Sequence, residues 1–440
     1  MAIVQAPLAP AVARPVSPTS RDHGIDLVRA LCVAGVVLLH ALMVGVTIVD
    51  GAPLFENASA GTGWIVPVSW LLQVMPLFFV IGGFSGALSH RRNLGRGGTA
   101  TAFVAARVHR LLRPAAATIA IVGSALLLLS ATGVPADLVA VAGFRYGQPL
   151  WFLAVFLLCQ ALLPALLLAH DRRPVLSIAL LVVSAIAVDT LRAITAIDAL
   201  GFLNLAFVWL ALQQLGFFVA DGRIDAFSRR TRTAMAVGAV GVLLLAFAGG
   251  LYSPDLIENV NPPTTALLLV GLAHTCALSL HRGRITALAR ERVPAAFRSF
   301  VNRRAMTIYL WHMPVLLGMA GVTALVALSS TTTLAAPGSL AWWLERPLWL
   351  ATALGLTALV ALPLSRAETR PAPETTACTL RVTLAVLSGL VGVVLLLVAG
   401  TTPATAALAV VLLVTALRLA SHRIRWAPRR RPQTRVRSAA

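Results

Sequence analysis

No lysine occurs in this chain: all 36 of its Lys/Arg positions are arginine. That excludes Schiff-base chemistry on a lysine and the lysine-dependent phosphate loop of P-loop enzymes. Charge of either sign is scarce, at 12% of residues, where a soluble domain carries about a quarter. Acids are scarcer still. The 16 Asp and Glu residues form no DDxxD or NxxxD pattern, so the paired carboxylates that would hold magnesium against a prenyl diphosphate are missing. The 4 cysteines (Cys32, Cys159, Cys276, Cys378) stand singly, without a CxxC pair. No disulfide or zinc site is expected of them, and three lie in apolar segments, as small core residues do.

What is present is apolar surface. Hydrophobic residues make up 58% of the chain and mean hydropathy is +0.85. Twelve runs have the length of about 17–25 residues that a helical membrane span needs. The first is 25–49, and the last two are 382–400 and 402–419. All arginines except Arg29, Arg145, Arg192 and Arg346 fall in the two tails and in alternate connecting segments. Lys/Arg excess marks the cytoplasmic side of short loops. The expected fold is therefore all-α and polytopic, with both termini cytoplasmic. Residues 1–22, rich in Ala and Pro, read as a disordered tail and not as a cleavable signal peptide. The run from 423 to 437, RIRWAPRRRPQTRVR, reads as a polybasic tail that attracts anionic lipid and not nucleic acid.

Several constellations could carry chemistry. In IDLVRALCVAGVVLLHALMVGVTIV at 25–49, Arg29 and His40 are eleven residues apart. On an α-helix this places them within roughly 20° of each other and about 16 Å apart along the axis. Ionisable groups in hydrocarbon normally face a polar cavity or a partner. Arg29 is expected at the cytoplasmic mouth of a site and His40 near the middle of the span as its reactive centre. A histidine can accept a proton from a hydroxyl and return it. Asp26, one turn before Arg29, would orient the guanidinium. The bland alternatives are an Arg29 that snorkels to headgroups and a His40 that merely bonds a neighbouring helix.

RVHRLLRP at 107–114 sets Arg107, Arg110 and Arg113 on a slowly spiralling ridge. Guanidinium groups grip phosphates bidentately, although the same ridge could bind anionic headgroups. MTIYLWHMPV at 306–315 brings Tyr309, Trp311 and His312 to the start of a span. There the aromatics suit an interfacial belt, and His312 is either a substrate contact or a satisfied helix contact. His274 is a weaker candidate of the same kind. Small residues in MPLFFVIGGFSGAL at 75–88 permit close helix approach, and GFSG lacks the spacing of a nucleophile elbow. QPLWFL at 148–153 places Gln148 and Trp151 at the external interface.

Taken together, these segments resemble the acyltransferase-3 family of integral membrane acyltransferases. IDLVRALCVAGVVLLH reproduces its Arg-x10-His signature, MPLFFVIGGFSGAL its FF-x-x-(S/G)-G-F segment, and the ridge its RxxR motif. PLWFL and YLWHMPV resemble its later motifs, in the same order. The resemblance covers about residues 20–366, the expected ten-span domain being 23–366. It leaves the two spans within 367–421 as an appendage, followed by the tail 422–440. It implies His40 as the catalytic histidine with Arg29 in support, Asp26 joining them by its spacing to Arg29, and Arg107 and Arg110 on the acyl donor with Arg113 as a third. His312, Tyr309, Trp151 and Gln148 are the expected substrate contacts. It further implies acyl-CoA, acetyl-CoA first, as co-substrate, no metal, and a hydroxyl-bearing glycan or lipid as acceptor. Two departures stand out: span four, at 148–169, has no acidic SxEEQ-like motif, and no SGNH hydrolase-like domain is fused. An alanine-rich, lysine-free composition fits a high-G+C bacterial genome, hence a bacterial cell membrane. The rival reading is a transporter or flippase, which usually shows repeats and midplane acids; no repeat is visible here.

Overall fold

The computed structural model describes residues 22–330, 333–371 and 373–422. The expected N-terminal tail up to Arg21 and the polybasic end from Arg423 lie outside the described residues.

Helix α1 (His23–Met43) starts where Asp22 accepts the Ile25 amide at 3.0 Å, an N-cap that satisfies one of the orphan donors of the first turn. Its 21 residues reach about 32 Å, enough to cross the hydrocarbon layer. The helix stops at Met43, six residues short of the expected limit of the first span. Val44–Val49 (β1) instead pairs antiparallel with Ala52–Asn57 (β2), with Val44 opposite Asn57. Asp50 and Gly51 turn the hairpin with φ of 50° and 75°. The β-branched run and the Asp-Gly turn outweigh the continuing hydropathy. His40 consequently stands in the last turn of α1 and not near the middle of a span.

The chain continues through α2 (Ile65–Leu72), α3 (Met75–Gly95), α4 (Ala100–Ala131), α5 (Ala136–Gly147) and α6 (Trp151–Arg172), the last two joined by a 3-10 turn at Gln148–Leu150. Next come α7 (Pro174–Thr195), α8 (Asn204–Ala220), α9 (Arg229–Ala248), α10 (Ala266–Leu288) and the short amphipathic α11 (Arg292–Arg303). Helices α12 (Ala305–Ser329), α13 (Leu340–Leu364), α14 (Arg366–Thr369), α15 (Thr379–Val398) and α16 (Pro403–Ala420) complete it. Among the described residues, 12 helical stretches are long and apolar enough to cross a membrane. The protein is an all-α, multi-pass membrane bundle with one small hairpin.

Helix α1 runs through the bundle and packs on α2, α3, α10, α11, α12 and α13. Helices α7 and α9 carry few buried residues and form the outside. Helices α3 and α8 approach backbone to backbone: a Cβ on Gly83 would collide with the Gln213 carbonyl, and one on Gly216 with that of Val80. The small residues of the GGFSG segment thus do what small residues do between membrane helices. The final pair is not a loose appendage. Helix α16 packs along α4, and α15 packs against α6 and α4. Its seams are equally close, with Gly123 against Ala406 and Gly389 against Leu112.

Most arginines collect at one end of the bundle, where charge networks tie the helix ends together. Arg91 of α3 donates to Asp221 at 2.7 Å and to Asp171 at 2.8 Å, and His170 of α6 donates to Asp221 at 3.0 Å. Burial alone would raise the Asp221 carboxyl, but the bonds from His170 and Arg91 outweigh it and hold the group at about 2. A depressed carboxylate contributes stability above its unfolded pKa, and that contribution is lost as pH falls through the folded value. The Tm advantage of the wild type over Asp221→Asn in detergent should therefore be full at pH 6, shrink below about pH 4 and vanish near pH 2. A gap that stays constant over that range would show that the carboxylate does not make these bonds.

Candidate active site

The inner face of α1 fronts a cavity of about 750 Å³, within the range of small-molecule sites. At the arginine-rich end it is lined by Arg29, Arg107, Arg110, Asn302 and Glu368. Beyond them come Phe78, Phe152, Phe156, Gln160, Tyr309 and His40, and at the far end Gln148 and Trp151. The charged lining residues are gathered at one end, and aromatic and apolar side chains with a few amides make up the rest.

Arg29 is held from two sides. Its Nε donates to Asn302 Oδ1 at 2.8 Å and its Nη2 to Asp26 at 2.9 Å. Asn302 in turn donates to the Asp26 carbonyl at 2.7 Å, which locks α11 to the first turn of α1. The guanidinium is thus oriented, in place at the cavity, and not released to headgroups. Arg107 lies within electrostatic range of Arg29 and Arg110, with its guanidinium 4.7 Å above the Phe103 ring. Arg110 is exposed at the cavity rim. The ridge exists because α4 is 32 residues long, about 48 Å, so its first turns project beyond a hydrocarbon layer of about 30 Å.

Arg113 is elsewhere. It donates to the carbonyls of Arg370 and Pro371, at 3.1 and 3.3 Å, and pins the connector that follows α14. It does not line the cavity.

His40 and His312 meet. Their rings lie 4.9 Å apart, tilted by 46°, with His312 Nε2 3.2 Å from His40 Nδ1. The proton positions follow from the other partners. His40 Nδ1 faces the Val36 carbonyl at 2.9 Å, and His312 Nδ1 faces the Tyr309 carbonyl. A carbonyl only accepts, so both Nδ1 atoms carry hydrogen, and each neutral ring keeps a bare Nε2. The bare nitrogen of His312 then receives a share of the His40 Nδ1–H. His40 is left with an Nε2 lone pair on a ring that fronts the cavity, while His312 is fully buried behind it. A buried acceptor behind the Nδ1–H of a base is the arrangement that orients imidazole for proton transfer and stabilises the imidazolium that forms. His312 is therefore placed to support His40 and not to touch a substrate.

Tyr309 lines the cavity and donates to the Pro149 carbonyl at 2.7 Å, tying α12 to the 3-10 turn. Trp151 is stacked on Trp209, with centroids 5.5 Å apart. Trp349 and Arg346 of α13 donate to the Ala41 and Val44 carbonyls, at 3.0 and 3.3 Å, satisfying the orphan acceptors where α1 ends. Arg346, one of the four arginines outside the tails and arginine-rich connecting segments, is buried with its guanidinium 4.0 Å from the Trp342 centroid. His274 is not among the cavity-lining residues.

Three residues at the cavity escaped sequence reasoning. Gln160 is a lone amide within the apolar run of α6, and its depth alone could have flagged it. Asn302 lies in an arginine-rich connector with no distinguishing spacing. Glu368 accepts from the amides of Met306 and Thr307, at 3.3 and 3.0 Å, and from the Thr307 hydroxyl at 2.8 Å. It caps the helix that carries His312 from 62 residues away, a bond no local pattern announces.

The family model described as an acyltransferase domain matches residues 22–366. No curated protein and no solved structure matches the chain.

The two imidazoles should differ sharply in access. In a Cys378→Ser background, His40→Cys should be modified by a small charged methanethiosulfonate within minutes, and His312→Cys should stay unmodified in the folded protein. Mass spectrometry of the labelled variants reads the difference, and equal labelling would contradict the front-and-back arrangement.

Proposed function

The chain belongs to the acyltransferase-3 family, and on that premise we propose that it moves an acyl group, acetyl first among candidates, from cytosolic acyl-CoA to a hydroxyl of a glycan or lipid. The observation that carries the reading is the pairing of His40 with His312 on a cavity whose other end is lined by Arg29, Arg107 and Arg110. By the arginine excess, that end faces the cytosol of a bacterial cell membrane, with both termini on the same side. The appended polybasic tail adds anionic-lipid contacts there.

Arg107 and Arg110 grip the CoA phosphates. Arg29, fixed by Asp26 and Asn302, is about 16 Å from His40 along α1. That is too far to touch the reacting carbonyl, so its part is to position the donor. The extended pantetheine arm bridges the distance and presents the thioester at His40, past the aromatic wall of Phe78, Phe152 and Phe156. His40 Nε2 takes the proton of the acceptor hydroxyl as its oxygen attacks the thioester carbon. The C–S bond breaks as the tetrahedral intermediate collapses, and the proton returns from His40 to the departing thiolate to give CoA. The imidazolium formed in between is favoured by the His312 lone pair and by the carbonyl end of α1, where His40 occupies the last turn. Gln148 and Trp151 line the end where the acceptor arrives. No carboxylate of span four takes part; Gln160 stands on that wall as a neutral amide.

In lipid nanodiscs supplied with acetyl-CoA and an extract of the source membranes, the wild type should release free CoA. His40→Ala should reduce release by about two orders of magnitude or more, the usual share of a general base, while remaining folded. His312→Gln should lower kcat with little change in KM for acetyl-CoA, and Arg107→Ala should do the reverse. Full activity in His40→Ala would remove that residue from the chemistry. A protein that translocates a substrate without consuming thioester would be a transporter or flippase instead.

A further inference from the structure

The family match ends at residue 366, yet the cavity wall does not. Val394, Leu396, Leu397 and Val398 at the end of α15, with Gly400 after it, line the same cavity as His40. They do so because the 3-10 turn packs on α15, and α5 presses against the chain just after it with almost no side chain between. A Cβ on Gly143 would strike the Thr401 carbonyl, and one on Gly147 would sit 2.9 Å from the Thr401 hydroxyl and 3.5 Å from the Leu396 carbonyl. Helix α15 begins at the arginine-rich end, where Thr379 meets Thr101 at 3.3 Å, and so ends at the opposite one, beside Gln148.

At that end the cavity opens. Phe144 of α5 and Val394 and Val398 of α15 line it while remaining 60%, 44% and 83% exposed. Side chains that do both stand at a mouth. The charged lining residues, Arg29, Arg107, Arg110 and Glu368, all lie at the other end. The mouth is therefore uncharged, with Gln148 beside the exposed apolar side chains of Phe144, Val394 and Val398, a poor entrance for a free polysaccharide and a good one for a hydrocarbon chain.

We propose that α15 and α16 are part of the substrate site, and that the seam between α5 and α15 receives the apolar chain of a lipid-borne acceptor whose hydroxyl reaches His40. This rests on the acyltransferase reading above and adds to it a wall built from outside the family domain. Helix α16 holds that wall in place along α4, with Gly123 against Ala406.

The test follows label from radioactive acetyl-CoA in nanodiscs containing the total lipid extract and the water-soluble envelope fraction of the source cell. In a Cys378→Ser background, Val398→Cys is purified folded and then modified with a bulky maleimide. Val391→Cys, equally on α15 and 56% exposed but away from the cavity, is the control. The expected result is label in the organic phase, reduced at least tenfold by the Val398 adduct and unchanged by the Val391 adduct. The slow release of CoA without acceptor, read on the unmodified and the Val391-modified protein, reports on the acyltransferase reading by itself. Val398→Trp without a reagent should act like the adduct. Label confined to the aqueous phase, or organic-phase label indifferent to the Val398 adduct, overturns the seam proposal and leaves the acyltransferase reading standing. Absence of both CoA release and transfer overturns the acyltransferase reading itself.

Discussion

Helix α1 carries an acid, a guanidinium and an imidazole into the bundle, and its neighbours are arranged to satisfy them. Each of these groups would be expensive in hydrocarbon without a partner. Asp26 and Arg29 are answered by Asn302 from α11, and His40 by His312 from α12. Trp349 and Arg346 from α13 satisfy the carbonyls where the helix stops. Three separate elements thus bond to one helix through polar groups, and the cavity is the space that remains on its inner face. This explains why α1 is surrounded on most sides, while α7 and α9, which bury few residues, remain at the periphery.

Much of this is legible in the sequence, for identifiable reasons. Arg29 and His40 share a face because eleven residues is close to a whole number of helical turns, a relation that needs no tertiary information. The arginine ridge is readable for the same reason. Hydropathy is strong enough to mark the spans, since only helices satisfy their own backbone in lipid. The hairpin is misread because hydropathy does not separate a strand from a helix; the Asp50–Gly51 turn signal is present but is outweighed by the apolar run before it.

The remaining features depend on contacts distant in sequence. His312 is recognisable as noteworthy, but its position behind His40 depends on the packing of α12 against α1. Asn302 and Glu368 work across 273 and 62 positions. Arg113 belongs to the ridge by spacing and is drawn off it by the connector carbonyls at 370 and 371. The last two helices read as an appendage because their spans carry no charge apart from Arg418 at the end. Only the close contact of Gly143 and Gly147 with the chain at 396–401 brings them into the wall.

The placement of His40 in the final turn of its helix has a kinetic corollary. The arginine-lined rim and the apolar mouth lie at opposite ends of one chamber, so two reactants can occupy it head to head without sharing a doorway. Neither has to leave before the other arrives. Under the proposed acyl transfer, a chamber of that shape suits a ternary complex with free order of addition, in which the transferred group is not stored on the protein between two visits to one entrance.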